Sequence, residues 1–83
     1  MPTIFIKDGF RFYFYSEEGT EPMHVHVAYS DGRAKFWLKS DIILASSIGF
    51  KAKDIKKAKQ LIQANFKLIE EGWNEFDLRR KNP

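Results

Sequence analysis

The sequence predicts an α+β fold, in which two β-hairpins form a four-stranded antiparallel sheet, with one face covered by a short helix and a long C-terminal helix. Alternating apolar residues flank the pair Asp8-Gly9, and a second alternation flanks Asp31-Gly32, which predicts the hairpins. After residue 50 the apolar residues recur at steps of three and four, which predicts helix. A chain of 83 residues supports one core. We therefore predict a single domain, with the sheet in 1–39, the helices in 40–78 and a basic tail in 79–83.

Each Asp-Gly pair is predicted to form a two-residue loop, because a type I′ turn needs positive φ at both central residues. The loops then determine which residues lie opposite each other. In the first hairpin the predicted pairs are Phe5 with Phe12, Thr3 with Phe14, Ile4 with Tyr13 and Ile6 with Arg11. In the second they are Tyr29 with Ala34, Val27 with Phe36, Val25 with Leu38, His26 with Trp37, Ala28 with Lys35 and His24 with Lys39. The order of the strands across the two hairpins is left open.

This register separates apolar from polar side chains, because opposed residues share a face of the sheet. The predicted core face collects Phe5, Phe12, Phe14, Val25, Val27, Phe36 and Leu38. The opposite face, called the histidine face below, collects Arg11, Tyr13, Tyr15, His24, His26, Lys35 and Trp37. We expect the helices to pack on the core face and to leave the histidine face uncovered.

The second half of the chain is predicted to be helical. Ser40 or Asp41 is expected to cap a short helix over 42–46, which ends before Gly49. A long helix is predicted over 52–78, and Gly72 marks a kink or an early end within it. Its apolar stripe consists of Ile55, Ala58, Ile62, Phe66, Ile69, Trp73 and Phe76.

The composition limits the possible functions. The absence of cysteine excludes disulfides and thiolate metal sites, and agrees with a cytoplasmic location. No apolar run is long enough to span a bilayer, so no membrane association is expected. The net charge of +3 permits contacts with nucleic-acid phosphates without requiring them.

The strand PMHVHV, residues 22–27, contains both histidines of the chain. Residues His24 and His26 point the same way, with Cα atoms about 6.5–7 Å apart at the usual strand rise. That spacing suits a shared metal ion, but a third ligand would have to come from loop carboxylates. The candidate carboxylates are Glu17, Glu18, Glu21 and Asp31. We expect no metal and no cofactor, and keep a metal at His24 and His26 as an alternative.

Two further hypotheses use the whole histidine face. In a metal-independent ribonuclease, His24 and His26 would act as acid and base while Arg11 and Lys35 hold the scissile phosphate. In a binding module without catalysis, aromatic and basic side chains would bind RNA or a partner protein. The aromatic residues expected to stack on bases or contact a partner are Tyr13, Tyr15 and Trp37. A solvated sheet face without either role is at least as compatible with these residues.

Several segments in one order give the chain a resemblance to a family of small bacterial proteins, the domain of unknown function 4160. They are MPTI at the start, GFRFYFYSEEG at 9–19, EPMHVHV at 21–27, DGRAKFWL at 31–38, GF at 49–50 and WNEF at 73–76. The positions that correspond to the family pattern are Arg11, Tyr15, Pro22, His24, His26, Lys35 and Trp37. Members often lie beside another small uncharacterised gene, so the resemblance implies a toxin–antitoxin-type module. We therefore expect RNA and a cognate small protein as partners, and an edge strand that also permits a homodimer.

Overall fold

The computed structural model describes residues 3–15 and 21–81, with side chains as far as Arg79. It confirms the α+β fold with an antiparallel sheet and two helices on one face, but the sheet has five strands where four were predicted. The strands are β1 (Thr3–Lys7), β2 (Phe10–Tyr13), β3 (His24–Tyr29), β4 (Gly32–Leu38) and β5 (Ile42–Ile48). The helices are α1 (Ala52–Ala64) and α2 (Phe66–Lys81). Each strand pairs with the next along the chain, in the order β1-β2-β3-β4-β5.

The first hairpin turns at Asp8-Gly9 as predicted, and both residues have positive φ, 52° and 83°. Near the turn the pairs Phe5 with Phe12 and Ile6 with Arg11 are confirmed. Farther from the turn the prediction is wrong. A bulge places one extra residue, Ile4, in β1, so Thr3 pairs with Tyr13.

The second hairpin turns at Ser30-Asp31, so its predicted register is wrong by two residues. Tyr29 pairs with Gly32 and His26 pairs with Lys35. The reason is that Gly32 lies in the strand, against the end of β5: a Cβ atom at Gly32 would lie 2.6 Å from the carbonyl oxygen of Gly49. Because the error is an even number of residues, each side chain keeps its predicted face.

The segment predicted as a short helix over 42–46 is strand β5, so the sheet extends beyond residue 39. Its neighbour β4 is largely buried, with Phe36 at 0% and Leu38 at 4% exposure. The backbone N–H and C=O groups of β4 therefore need partners inside the protein. β5 supplies them, through pairs such as Phe36 with Leu44 and Leu38 with Ile42.

The predicted long helix over 52–78 is two helices. α1 ends at Asn65, whose backbone N–H donates to the carbonyl oxygens of Leu61 and Ile62 and whose Nδ2 donates to Leu61 at 2.9 Å. Gly72 produces no break, because α2 continues through it to Lys81. The predicted basic tail is accordingly helical as far as Lys81. At its start α1 is held by Asp54, whose Oδ2 accepts the N–H of Lys51 at 3.0 Å.

Both helices pack on the predicted core face. The predicted stripe is confirmed in its centre, where Ala58, Ile62, Ile69 and Trp73 are buried. The sheet contributes Phe10, Phe12, Phe14, Val25, Val27, Ala34, Phe36 and Leu38 to the same core. Phe5 is only partly buried and stacks on Phe12 at 4.5 Å. No described helix is long and apolar enough to cross a membrane.

We expect Gly32→Ala to lower the free energy of unfolding by about 1–3 kcal/mol, because the added methyl group would collide with backbone that cannot move aside. Gly72→Ala is the matched control. Its Cβ would meet only side chains, the ring of Phe14 at 3.3 Å and Cγ2 of Ile4 at 3.8 Å, and alanine favours helix. Urea denaturation compares the two variants. Equal stability of Gly32→Ala and wild type would contradict the close approach of Gly32 to Gly49.

Candidate functional site

The histidine face is built as rows of residues that run across the strands. Tyr13, His26, Lys35 and Ser46 are successive register partners on β2, β3, β4 and β5. They form the central row of the face. The order of the strands, which the sequence left open, therefore places Tyr13 directly beside His26.

One flanking row lies on each side of the central row. The first contains Arg11, Ala28, Arg33 and Ile48. The second contains His24, Trp37 and Ile43. In the first row small Ala28 is buried between two arginines, whereas the second row contains the rings of His24 and Trp37.

An open groove of about 330 Å³ lies on this face. Its lining includes Tyr13, His26, Arg33, Lys35, Ser46, Ser47 and Ile48. The groove therefore combines an aromatic ring, an imidazole, two cations and the hydroxyl group of Ser46, whereas Ser47 is the register partner of core-face Ala34. Tyr13 is only 5% exposed, because Arg11 and His26 lie against its ring. The set can therefore bind an anion, and a planar ligand ring would have to stack on His26 or on exposed Tyr15.

Lys35 lies at the centre of the groove with its charge already balanced. Its Nζ donates to both carboxylate oxygens of Glu21, at 3.1 Å and 2.9 Å. The same Nζ lies 4.4 Å from the ring centroid of Trp37, which is a cation–π distance. Lys35 thus links the loop before β3 to the face, and its ammonium has less freedom to bind a phosphate than an exposed lysine.

Arg11 is fixed in a similar way on the neighbouring strand. Its Cζ lies 4.4 Å above the ring of Tyr13, and Nη1 donates to Oγ1 of Thr3 at 3.3 Å. Arg33 differs from both, because it is exposed and forms no ion pair with any residue that the structure describes. Arg33 is therefore the cation of this face that is best placed to bind an anion.

His24 is enclosed, with only 2% of its surface exposed. Its Nδ1 donates to the carbonyl oxygen of Pro22 at 2.9 Å, which places a proton on Nδ1. The ring packs edge-on against Trp37 at 5.6 Å and Trp73 at 5.2 Å. Nε2 lies 3.6 Å from Oε2 of Glu21, beyond hydrogen-bond distance. His24 thus joins the sheet to α2 and is shielded from ligands in the groove.

His26 is half-buried and lines the groove. Its ring stacks on Tyr13 at 5.4 Å and meets the edge of Tyr15 at 5.9 Å. The pKa of His26 is lowered from 6.5 to about 4, mainly by burial and to a lesser degree by the charges of His24 and Lys35, against the opposing effect of Glu21. The imidazole is therefore neutral at pH 7.

The described residues contain no group of three or more histidine, aspartate or glutamate side chains that could hold a metal ion. Glu17 and Glu18, which the sequence offered as further ligands, lie outside the described ranges. Of the two histidines, His24 already uses Nδ1 in a hydrogen bond. The described arrangement therefore offers at most an incomplete set of ligands.

The structure brings six of the predicted site residues close together around His26: Tyr13, Tyr15, His24, His26, Lys35 and Trp37. Arg11 lies at the side, over Tyr13. The predicted site did not include Arg33 or the β5 residues Ser46, Ser47 and Ile48. The alternation Arg33, Lys35, Trp37 was a signal for Arg33. The β5 residues were missed because their segment was predicted as helix.

We expect protein stability to fall as the pH is lowered from 6.5 to 4, because the unfolded chain protonates His26 in this window and the folded chain does not. The loss attributable to His26 is on the order of 2 kcal/mol. Urea denaturation of wild type and His26→Gln at a series of pH values isolates it, since other titrating groups cancel in the difference. A difference that stays constant between pH 7 and pH 4 would contradict the lowered pKa.

Comparison with known proteins identifies the family but not the activity. No curated protein and no solved structure matches the chain. One family model matches, over residues 9–74, a range that begins in the first turn and includes β2 to β5, α1 and the first half of α2. All the residues that line the groove fall within it. The chain therefore belongs to the family described as Domain of unknown function (DUF4160).

Proposed function

We propose that this protein binds single-stranded RNA in the groove of the histidine face, as one component of a toxin–antitoxin-type module. The observation that carries the proposal is the row Tyr13, His26, Lys35, Ser46, with exposed Arg33 beside it. Aromatic rings next to cations on an open sheet surface are how many proteins bind unpaired nucleotides.

The rings supply the contacts to bases. Tyr15 is 46% exposed and lies beside the neutral imidazole of His26. A base that enters the groove can stack on these rings without displacing a charge. Stacking of this kind contributes about 1–3 kcal/mol per base and tolerates any sequence.

The cations supply the contacts to phosphates. Arg33 extends from the groove wall, and the hydroxyl group of Ser46 lies on the neighbouring strand. A guanidinium group binds two phosphate oxygens at once, and hydroxyl groups add further donors. Because Glu21 balances Lys35, the net attraction is modest. We therefore expect weak, salt-sensitive binding.

The geometry supports binding better than cleavage. A metal-independent ribonuclease needs an acid and a base that both touch the substrate. His26 can accept a proton at pH 7, but His24 is enclosed by two tryptophans and cannot reach a phosphate in the groove. Lys35 is held by Glu21, which leaves the developing charge of a transition state with less stabilisation.

The toxin–antitoxin part of the proposal has a separate origin. It depends on the resemblance to the family, because the genes of family members often lie beside a second small gene. A binding protein without catalysis fits either side of such a pair, because it can block an RNA or neutralise a partner. The cognate small protein therefore belongs to the proposal as a second ligand.

We expect Arg33→Ala and Tyr15→Ala each to weaken binding of a fluorescein-labelled, mixed-sequence 12-nucleotide RNA by roughly three- to thirtyfold. The two variants should differ in their response to salt. Arg33→Ala should also reduce the slope of log K against log salt concentration, by about 0.7 for one lost phosphate contact, whereas Tyr15→Ala should keep it. Fluorescence anisotropy across a salt series measures both quantities.

Arg79→Ala is the matched control for that experiment, because it removes the same charge from an exposed position on α2. It should bind RNA as wild type does, apart from the small effect of net charge. If Arg33→Ala and Arg79→Ala weakened RNA binding equally, the binding would come from nonspecific electrostatic attraction and not from a defined site. No binding by wild type even at low salt would refute the proposal.

We expect the same RNA to remain intact when it is incubated with wild-type protein in excess EDTA, because only one of the two histidines can reach a substrate. Gel electrophoresis of the end-labelled RNA provides the measurement. Cleavage by wild type that disappears in His26→Ala would reverse the conclusion and identify a nuclease. His24→Ala serves as the comparison, since residual cleavage there would assign the chemistry to His26 alone.

A further inference from the structure

The outer edge of the sheet at β5 is unusual for a protein surface. β5 is the last strand of the sheet, so its outer backbone groups have no strand partner among the described residues. It has no charged residue in IILASSI, and three of its apolar side chains, Ile43, Leu44 and Ile48, are exposed. Exposed edge strands normally carry lysine, proline or inward-pointing charge that prevents pairing with another chain. β5 carries no lysine, proline or charge, and of the features that hinder edge pairing it has only a bulge at Ala45.

The opposite edge of the sheet lacks these features. β1 ends in Lys7, is two residues shorter than β5, and has α2 packed against it near Ile4. β5 is therefore the edge of the sheet at which pairing with another chain meets fewer obstacles.

The bulge in β5 places Ile43 and Ile48 on the same face of the sheet, so that two antiparallel copies of the strand can match each other. It places Ala45 as an extra residue between Leu44, which pairs with Phe36, and Ser46, which pairs with Lys35. The alternation of faces therefore shifts by one, and Ile43 and Ile48 both point to the histidine face although they are five residues apart.

We propose that β5 pairs antiparallel with β5 of a second copy of this chain, around a two-fold axis between Ala45 and Ser46. In this register Ile43 of each copy lies opposite Ile48 of the other, and Leu44 lies opposite Ser47. In both of these pairs the directly opposed residues share a face, as a continuous sheet requires. A register one residue shorter would place Ile43 opposite Ser47, which points to the core face, so the bulge excludes that register.

A second copy of the chain is the partner that the sequence of β5 favours. A two-fold contact uses the same patch twice, so each Ile43–Ile48 contact is formed two times. The uncharged strand lets two chains of net charge +3 approach without opposed like charges along β5. Strand pairing alone buries less than the roughly 1,200–2,000 Å² of a stable interface, so we expect a dimer that forms and dissociates in the micromolar range.

The dimer would be a ten-stranded sheet with both histidine faces on one side. Ser46 and Ile48 lie at the groove and next to the two-fold axis, so the two grooves would be neighbours. One RNA strand could then occupy both grooves, a consequence that depends on the proposed function. The pairing of the strands does not depend on it.

Cysteine crosslinking tests the register directly, because the natural chain contains no cysteine. Ile43→Cys and Ile48→Cys are made separately, at positions that are 47% and 74% exposed, so folding should be unaffected and circular dichroism verifies it. Opposed residues in an antiparallel pair lie about 4.5–5.5 Å apart between Cα atoms, which a disulfide can bridge. The two variants are mixed in equal amounts with oxidised glutathione, and the products are identified by intact mass.

We expect the mixed disulfide between Ile43→Cys and Ile48→Cys to form on the order of tenfold faster than the disulfide of either variant with itself. Ile6→Cys, 64% exposed on the opposite edge, is the matched control and should crosslink slowly with every variant. Sedimentation of wild type from low micromolar to near-millimolar concentration should show a monomer–dimer equilibrium. Wild type that stays monomeric throughout, or crosslinking no faster than that of Ile6→Cys, would overturn the proposal and leave β5 to a different partner.

These outcomes are independent of RNA. A dimer without RNA binding would retain this inference and remove the proposed function. RNA binding by a protein that stays monomeric would retain the proposed function and remove this inference. Neither result can be mistaken for the other, because mass and anisotropy are measured on separate samples.

Discussion

The two central strands impose the constraint on which the rest of the molecule depends. In β3 and β4 one side chain in two is fully buried under the helices, as shown by Val25, Val27 and Phe36 at 0% exposure. The intervening side chains must then point to the other face, because the side-chain period of a strand is two. His26, Lys35 and Trp37 are therefore placed together by the burial of their neighbours, before any interaction among themselves.

That burial also explains why the sheet has a fifth strand. A buried β4 cannot leave its outer backbone groups without partners, so the segment after Leu38 pairs with it. The outer backbone groups that need hydrogen-bond partners are then those of β5, which is exposed, and no longer those of β4, which is buried. β5 can meet water with its outer edge, but its uncharged, partly apolar sequence suits a protein partner better.

On the histidine face, charges are neutralised within the protein to different degrees. Glu21 binds Lys35, Tyr13 lies under Arg11, and burial keeps His26 neutral. Arg33 remains exposed without an ion pair to a described residue. A surface with rings in its centre and one accessible cation at its side is suited to binding a ligand through ring stacking and one contact with an anionic group. It is less suited to stabilising the charge of a transition state, which needs several preorganised donors.

The sequence by itself determined the two faces of the sheet, the first hairpin near its turn and the apolar stripe of the helices, because these follow from periodicity and from the φ angles that Asp8-Gly9 adopts. Only the tertiary structure decided the turn at Ser30-Asp31, since Gly32 was needed beside Gly49, a residue 17 positions away in the chain. The same is true of β5, whose strand conformation is stabilised by pairing with the edge of β4. The site divides likewise: alternation predicted which residues share a face, whereas the strand order decided that Tyr13 meets His26. Packing between β3 and α2 decided that His24 is enclosed while His26 lines the groove.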